Sequence, residues 1–455
     1  MIPVEKNKEY YAEIESVSND GNGVAHIDGF TVFVPMCADG DKLKIKIVKV
    51  KDTYAFGRIE EIITPSPYRR EPICPHYKRC GGCNLMHIDY GKQLEIKLNS
   101  VKNALSRIGG IDGNIVSDII GMENPYHYRN KMVFPVDIVA GKTEFGFYAN
   151  RSHDLIPVDK CFISHEISVP VINTVKKYMD LTNTSVYNEK THKGTVRRLF
   201  IRKGFSAGDV TVILCCANEC LIDKDLLVSL LKESCAEISS IVLNINKKPD
   251  NLVLGKKNIL LWGKEHIEDS LCGLRYKISP HSFFQVNPIQ TEILYNTAIQ
   301  MSDLSGTEKL LDIYSGIGTI SLTASRFVSE VIGIEVVEQA VLDATENAKL
   351  NKANNCRFFA GKAENIVPRL MSEGFCPDVA IIDPPRKGSD ENTLRALAYS
   401  SVKKIIYISC NPSTLARDIK YLSQNGFAVQ KAMAVDMFPH TSHVEAAVSL
   451  CRANT

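Results

Sequence analysis

Ser409-Cys410-Asn411-Pro412 sets a thiol at the point where a short apolar run, Ile405 to Ile408, gives way to a turn. A run of that kind reads as a buried parallel strand, and ligands of open α/β sheets bind outside the carboxyl ends of such strands. The preceding apolar run, Val379 to Ile382, ends in the same way in Asp383-Pro384-Pro385-Arg386. Two strand ends therefore deliver a thiol and a carboxylate to one rim, as covalent catalysis with acid-base assistance requires. Most free cysteines are small buried hydrophobes, so the company Cys410 keeps, not its residue type, makes it a candidate nucleophile.

A second group of residues points to a nucleoside cofactor. Asp312-Ile313-Tyr314-Ser315-Gly316-Ile317-Gly318-Thr319 lies between a strand pattern and a helix pattern, where glycines permit a tight turn and close ligand approach. Gly-x-Gly alone is weak, but the next strand pattern ends in Gly333-Ile334-Glu335, where a carboxylate can accept hydrogen bonds from ribose hydroxyls. A dinucleotide fingerprint wants a third glycine near position 321, which is Ser321, so a pyrophosphate cradle is poorly supported. S-adenosylmethionine carries no phosphate, and with Asp383 at a further strand end it is preferred to NAD.

Cys74, Cys80 and Cys83 fall within ten residues around Gly81-Gly82. Thiolates so close suit a metal, and zinc is the first thought, although five residues separate Cys74 from Cys80 where zinc sites commonly have two to four. The chain has 14 cysteines and begins Met1-Ile2-Pro3-Val4-Glu5-Lys6 with no apolar signal segment. That argues against a disulfide framework and for a cytoplasmic protein. No apolar run reaches membrane-spanning length, so no membrane association is expected.

The elements that must carry these residues can be read coarsely. At 455 residues, with 44% hydrophobic and 23% charged residues, two or three ordinary globular domains are expected. Residues 5–64 alternate apolar and polar positions in short runs broken by glycine turns, which predicts a small OB-like β-barrel. In Lys42-Leu43-Lys44-Ile45-Lys46-Ile47 the alternation puts the lysines on one face. Thr64-Pro65-Ser66-Pro67 reads as a linker. Residues 74 to about 275 are mixed α+β, with a helix from about Tyr90 to Arg107. Beyond Ser279, strands alternate with helix-length segments, which predicts a doubly wound α/β sheet. Its last two runs are joined by so short a connection that they must pair antiparallel. The domains are accordingly placed at 1–65, 66–278 and 279–455, with the helical part near 90–120 packing on the last. Net charge is only +2, but basic residues gather at 41–58, 68–110 and 189–203. Three such segments favour a polyanionic partner.

The stretches Ser409 to Asp418, Asp383 to Gly388, His281 to Asn287 and Asp436 to Glu445 together resemble the RNA uracil-C5 methyltransferase family. The resemblance implies a Rossmann-like methyltransferase sheet, an N-terminal TRAM barrel and S-adenosylmethionine as methyl donor. It assigns Cys410 as the nucleophile that adds to uracil C6 and Glu445 as the base that removes the C5 proton. Gln285, Tyr314, Thr319, Glu335 and Asp383 would contact the cofactor, although Asp383 could instead contact the uracil. Asn124 to Lys131 is similar to a central-domain motif that would face RNA, with core packing of Tyr126 and Tyr128 as the alternative. In the branch that methylates 23S ribosomal RNA, a C-x5-C-x2-C loop and a distant fourth cysteine hold a [4Fe-4S] cluster. Cys74, Cys80, Cys83 and Cys161 would be its ligands here, while the remaining thiols are left structural.

The chemistry explains the choice of residues. Uracil C5 is too poor a nucleophile to take a methyl group directly, but thiolate addition at C6 gives C5 carbanion character. A base must then remove the C5 proton so that the thiolate can leave. A free thiol is largely protonated near neutrality, so Arg386 is a candidate for lowering its pKa. The expected substrate is 23S ribosomal RNA, with transfer RNA as the alternative and no obligate protein partner. Asp-Pro-Pro also resembles sites that methylate exocyclic amines, but those need no thiol. A non-catalytic RNA-binding assembly factor would have no use for Cys410 and Glu445.

Overall fold

The computed structural model describes residues 2–150, 152–249 and 252–453. Their strands form an N-terminal six-stranded sheet, a central seven-stranded sheet, a two-stranded hairpin and a C-terminal eight-stranded sheet.

In the N-terminal sheet, strand Lys42–Val50 lies between Glu9–Glu13 and Tyr54–Thr64. Leu43, Ile45 and Ile47 are fully buried, as alternation requires. The outward lysines are partly neutralised: Lys44 Nζ lies 2.8 Å from Glu9 and Lys42 Nζ 3.9 Å from Glu13. The proline linker ends the last strand but is fastened. Buried Asp41 accepts from Ser66 N at 2.9 Å and takes a bidentate pair from Arg69, with both N···O distances 2.7 Å.

The central sheet runs in the order Leu155–Pro157, Lys142–Tyr148, Lys131–Val139, Val196–Lys203, Val210–Cys216, Ile238–Ile245, Lys257–Gly263. Helices Ser168–Thr182 and Lys224–Ser234 pack on it, with Val171, Tyr178 and Leu231 meeting Phe134, Leu199 and Leu243. Here the basic stretch 189–203 departs from expectation. Arg197, Arg198 and Arg202 are buried. Their guanidinium groups donate to the carbonyls of Asn246 and Lys248, of Leu252, and of Ser279 and Ser282 at 2.6–3.0 Å. A guanidinium offers five donors in a fixed fork, so these side chains satisfy loop carbonyls instead of presenting a basic surface to a polyanion.

The C-terminal sheet has the order Cys356–Ala360, Glu330–Glu335, Lys309–Ile313, Val379–Ile382, Lys404–Ser409, Glu445–Arg452, Phe427–Val435, Val116–Ile120. The first five are mutually parallel, and Glu445–Arg452 runs antiparallel to both of its neighbours. This is the doubly wound, Rossmann-like sheet with an antiparallel last strand. Two segments that precede residue 279 join this unit, the first within the 90–120 stretch. Val116–Ile120 pairs in parallel with Phe427–Val435 and so contributes an edge strand. The hairpin Ile267–Leu271/Leu274–Ile278 buries Ile267, Leu271, Tyr276 and Ile278 in the core that holds Leu310, Ile320 and Val331. The chain therefore enters the C-terminal unit, leaves it to build the central sheet, and returns.

Candidate active site

Strand register determines what meets at the carboxyl rim. Ser409 pairs with Ala446 and Ile408 with Ala447. Cys410 follows Ser409 and Glu445 precedes Ala446, so the two leave this strand pair at the same end, close enough for Glu445 to act on the thiol. On the other side Ile382 pairs with Tyr407, so Asp383 leaves its strand next to the same turn. Three neighbouring strands thus end in a carboxylate, a thiol and a carboxylate.

The turn carrying Cys410 is fixed by its own sequence. Asn411 Oδ1 accepts from Ser413 N at 3.1 Å and caps helix Pro412–Gln424, with Pro412 in the first turn, where its missing N–H costs nothing. Asn411 Nδ2 donates to the Arg386 carbonyl at 3.1 Å, tying the Asp383 turn to the thiol turn. Arg386 Nη2 lies 3.1 Å from His443 Nε2. Burial and the neighbouring arginine pull the His443 pKa down to about 4, so the imidazole is neutral and Nε2 accepts.

Burial pushes the Cys410 thiol up to about 11; Glu445 and Asp383 add to the rise, and Arg386 opposes it. Burial also raises Asp383, with Asp312 adding to it. Glu445 is held well above the carboxylate range by burial and then by Asp383, again opposed by Arg386. Glu445 Oε2 is buried without a hydrogen-bond partner among the described residues. Such an atom is costly to leave alone, and burial with Asp383 beside it favours the protonated carboxyl.

The glycine turn brings Tyr314, Gly316 and Glu335 together. Glu335 Oε2 accepts from Gly316 N at 3.1 Å and Oε1 from Val337 N at 2.9 Å. A Cβ added at Gly316 would meet nothing within 4 Å, whereas one at Gly318 would lie 3.0 Å from the Phe358 ring. The first glycine faces open space and the second serves packing. Tyr314, at φ +72°, is a non-glycine in the left-handed region, with its hydroxyl 3.1 Å from Ser389 Oγ. Such strain clusters at ligand sites. Asp312 holds the turn from beneath: fully buried, it accepts from Ser321 Oγ at 2.5 Å, and burial raises its pKa to about 7. The Thr319 hydroxyl is engaged by Tyr295 at 3.1 Å. Gln285 is buried, and its carbonyl accepts from Asn130 Nδ2 at 2.9 Å.

Cys74, Cys80, Cys83 and Cys161 line one cavity of about 280 Å3, together with the cationic side chains Arg129, Lys131 and Lys160. Burial pushes the Cys161 thiol up to about 11, and that of Cys83 up as well, the other three cysteines adding to the latter. Among the described residues no group of three or more His, Cys, Asp or Glu is arranged to hold a single metal ion.

Sequence reasoning missed what supports Glu445. The turn 436–443 before it is anchored by helix Tyr90–Ala104: Lys97 Nζ meets Asp436 Oδ1 at 2.5 Å with both side chains fully buried. Tyr90 donates its hydroxyl to Asp436 Oδ2 at 2.9 Å, and Lys97 also donates to the Phe438 carbonyl at 3.0 Å. The helical spacing of Tyr90, Gln93 and Lys97 was the available signal, but a polar stripe normally faces water. The Asn124–Lys131 motif packs on the same turn. The Tyr128 hydroxyl donates to the Pro439 carbonyl at 3.1 Å, and the Tyr126 ring stacks on His440 with centroids 4.7 Å apart. Tyr128 is therefore a buried packing residue, and half-buried Tyr126 packs one face of its ring on His440.

A doubly wound sheet with this strand order and a glycine turn after strand Lys309–Ile313 is the Rossmann-like fold of a methyltransferase. Residues 251–453 match the tRNA (Uracil-5-)-methyltransferase family and residues 3–59 the TRAM domain. The chain belongs to the RNA uracil-C5 methyltransferase family. It is 43% identical to an uncharacterized RNA methyltransferase of Clostridium tetani, over 98% of this chain and 96% of that one. It is 44% identical to an uncharacterized RNA methyltransferase of Caldanaerobacter subterraneus, over 98% of each chain. The tRNA (uracil-54, C5)-methyltransferase of Pyrococcus abyssi, solved with S-adenosyl-L-homocysteine, has a similar structure. The TM-score is 0.76, with 27% identity, covering 97% of this chain and 100% of that one.

Proposed function

We propose that the protein methylates C5 of a uridine in 23S ribosomal RNA through a covalent intermediate on Cys410. The observation that supports this reading is the Ser409–Ala446 pairing, which brings the flanking Cys410 and Glu445 to the same end of two adjacent strands. The Cys410 thiolate adds to C6, and the electron pair of the C5=C6 bond becomes available at C5. Adenosylmethionine supplies an electrophilic methyl group on a positively charged sulfur. Once C5 carries the methyl group, Glu445 takes the C5 proton, the double bond re-forms and the thiolate leaves. Gln285, Tyr314, Glu335 and Asp383 are the residues we assign to holding the donor. Thr319 is less well disposed, because its hydroxyl already serves Tyr295.

Arg386 has two tasks in this scheme, favouring the thiolate and the ionised base. Its removal raises the thiol pKa further, so the thiolate fraction at any given pH falls. Arg386→Met should therefore move the pH profile of covalent adduct formation to higher pH by roughly one unit. The check is the rate of adduct formation on RNA containing 5-fluorouridine, measured from neutral to alkaline pH.

The four cysteines suit a [4Fe-4S] cluster. Thiolates are the usual ligands, the four thiols share one cavity, and its cationic lining would offset the negative charge of a thiolate-ligated cluster. Methyl transfer moves no net electrons, so the cluster would act by holding the central domain. Anaerobically purified protein should contain about four iron and four acid-labile sulfide per chain; one zinc and no sulfide would refute the assignment.

The cysteine-lined cavity beside a TRAM barrel favours ribosomal RNA, whereas likeness to the Pyrococcus enzyme favours transfer RNA. Purified protein with adenosylmethionine should place 5-methyluridine, detected by mass spectrometry, in 23S transcripts and not in transfer RNA. The reverse outcome overturns the proposal. A cytoplasmic site of action fits, and no described helix is long and apolar enough to cross a membrane.

A further inference from the structure

We propose that Asn84 is a positioning residue for proton abstraction: it clamps the turn that leads into Glu445 and ties the cysteine loop to the catalytic base. The inference rests on the reading of Glu445 as that base.

Glu445 needs to be aimed by something other than its own side chain. Its Oε2 has no partner among the described residues, so the direction of the carboxylate is set by the backbone that delivers it. On one side that backbone is strand Glu445–Arg452. On the other it is the turn 436–443, in which His440 sits at φ +66°. A non-glycine residue in that region persists only where its surroundings hold it.

Asn84, immediately after Cys83, supplies much of that hold. Its backbone N–H and that of Leu85 both donate to the His440 carbonyl, at 3.1 and 3.0 Å. Its side-chain oxygen accepts from Ser442 N at 2.8 Å, and its amide nitrogen donates to Ser442 Oγ at 3.0 Å and to the Asp20 carbonyl at 2.9 Å. A Cβ placed on Gly21 would lie 2.5 Å from Asn84 Nδ2, so the N-terminal barrel closes over the amide from the far side. One side chain thus joins the barrel, the cysteine loop and the catalytic turn. Cys410 is held by the Asn411 cap and the Arg386 carbonyl, neither of which uses Asn84, and its turn meets the clamped turn through the Arg386–His443 contact.

Because the hydrogen bonds that fix the Cys410 turn do not use Asn84, loss of the clamp should slow the base's half-reaction more than the nucleophile's. Full-length Asn84→Ala should form the covalent adduct on 5-fluorouridine RNA at close to the wild-type rate. On ordinary uridine RNA it should resolve the methylated adduct more slowly, on the order of ten- to a hundredfold, the scale expected when a catalytic group is displaced by about an ångström. Asn84→Asp keeps the acceptor for Ser442 N and should recover part of the loss; it also serves if the alanine variant folds poorly. Equal slowing of both half-reactions, or of neither, overturns the clamp. Glu445→Gln run in parallel separates the two claims. If it fails to accumulate adduct on ordinary RNA, the base assignment falls; if it accumulates adduct and neither Asn84 variant slows resolution, only the clamp falls.

Discussion

Cys410→Ala should give no covalent protein–RNA adduct on 5-fluorouridine RNA and should lower uridine methylation by ~10^4-fold or more, the scale on which losing a nucleophile is felt. Fluorine at C5 cannot be removed as a proton, so wild-type enzyme supplied with adenosylmethionine should be trapped in an adduct that survives denaturing electrophoresis. Alanine leaves the turn intact, because the Asn411 cap and the Pro412 helix start do not use the thiol. Its binding of RNA and cofactor should therefore match wild type, and the defect should lie in turnover. An alanine variant that still makes 5-methyluridine would refute covalent catalysis.

Glu445→Gln should produce the opposite phenotype on ordinary RNA. In the proposed scheme methyl transfer precedes the step assigned to this carboxylate, so the methylated adduct should accumulate where wild-type enzyme shows none. Turnover should fall by roughly 10^2- to 10^4-fold, the range attributed to general acid-base groups. Glutamine matches the carboxylate in size and can donate but cannot take a proton, so the burial that now raises the glutamate pKa becomes easier to bear. Adduct should appear by electrophoresis of a reaction carrying radiolabelled methyl groups. A variant that loses activity without accumulating adduct would assign Glu445 to an earlier step.

Much of this rim was legible in the sequence because it is local. Apolar runs such as Val379–Ile382 and Lys404–Ser409 declare parallel strands, and the residue just past each run, Asp383 or Cys410, is the one the rim presents. The lysine alternation in Lys42–Val50 and the antiparallel closing pair were readable on the same grounds. Contacts between distant segments were not. Val116–Ile120 is five residues with polar Ser117 and Asp118 near its start, and nothing in it names Phe427–Val435 as its partner. Lys97 reads as a solvated helix face until Asp436 is placed against it, and removing one partner of such a buried pair costs about 3–5 kcal/mol. Arg197, Arg198 and Arg202 escape sequence reading for a related reason: charge patterning counts residues but does not register the loop carbonyls that claim them.

The edge strand Val116–Ile120 has a consequence for how the enzyme is born. A nascent chain folds from its amino end as it emerges, yet this strand has no neighbour until Phe427–Val435 is made, and Lys97 waits equally long for Asp436. The barrel and the central sheet can be complete on the ribosome while the methylating centre is still a set of unmet partners. The strands that carry Cys410 and Glu445 come into register in the same late event, so under the proposed mechanism nucleophile and base are assembled together.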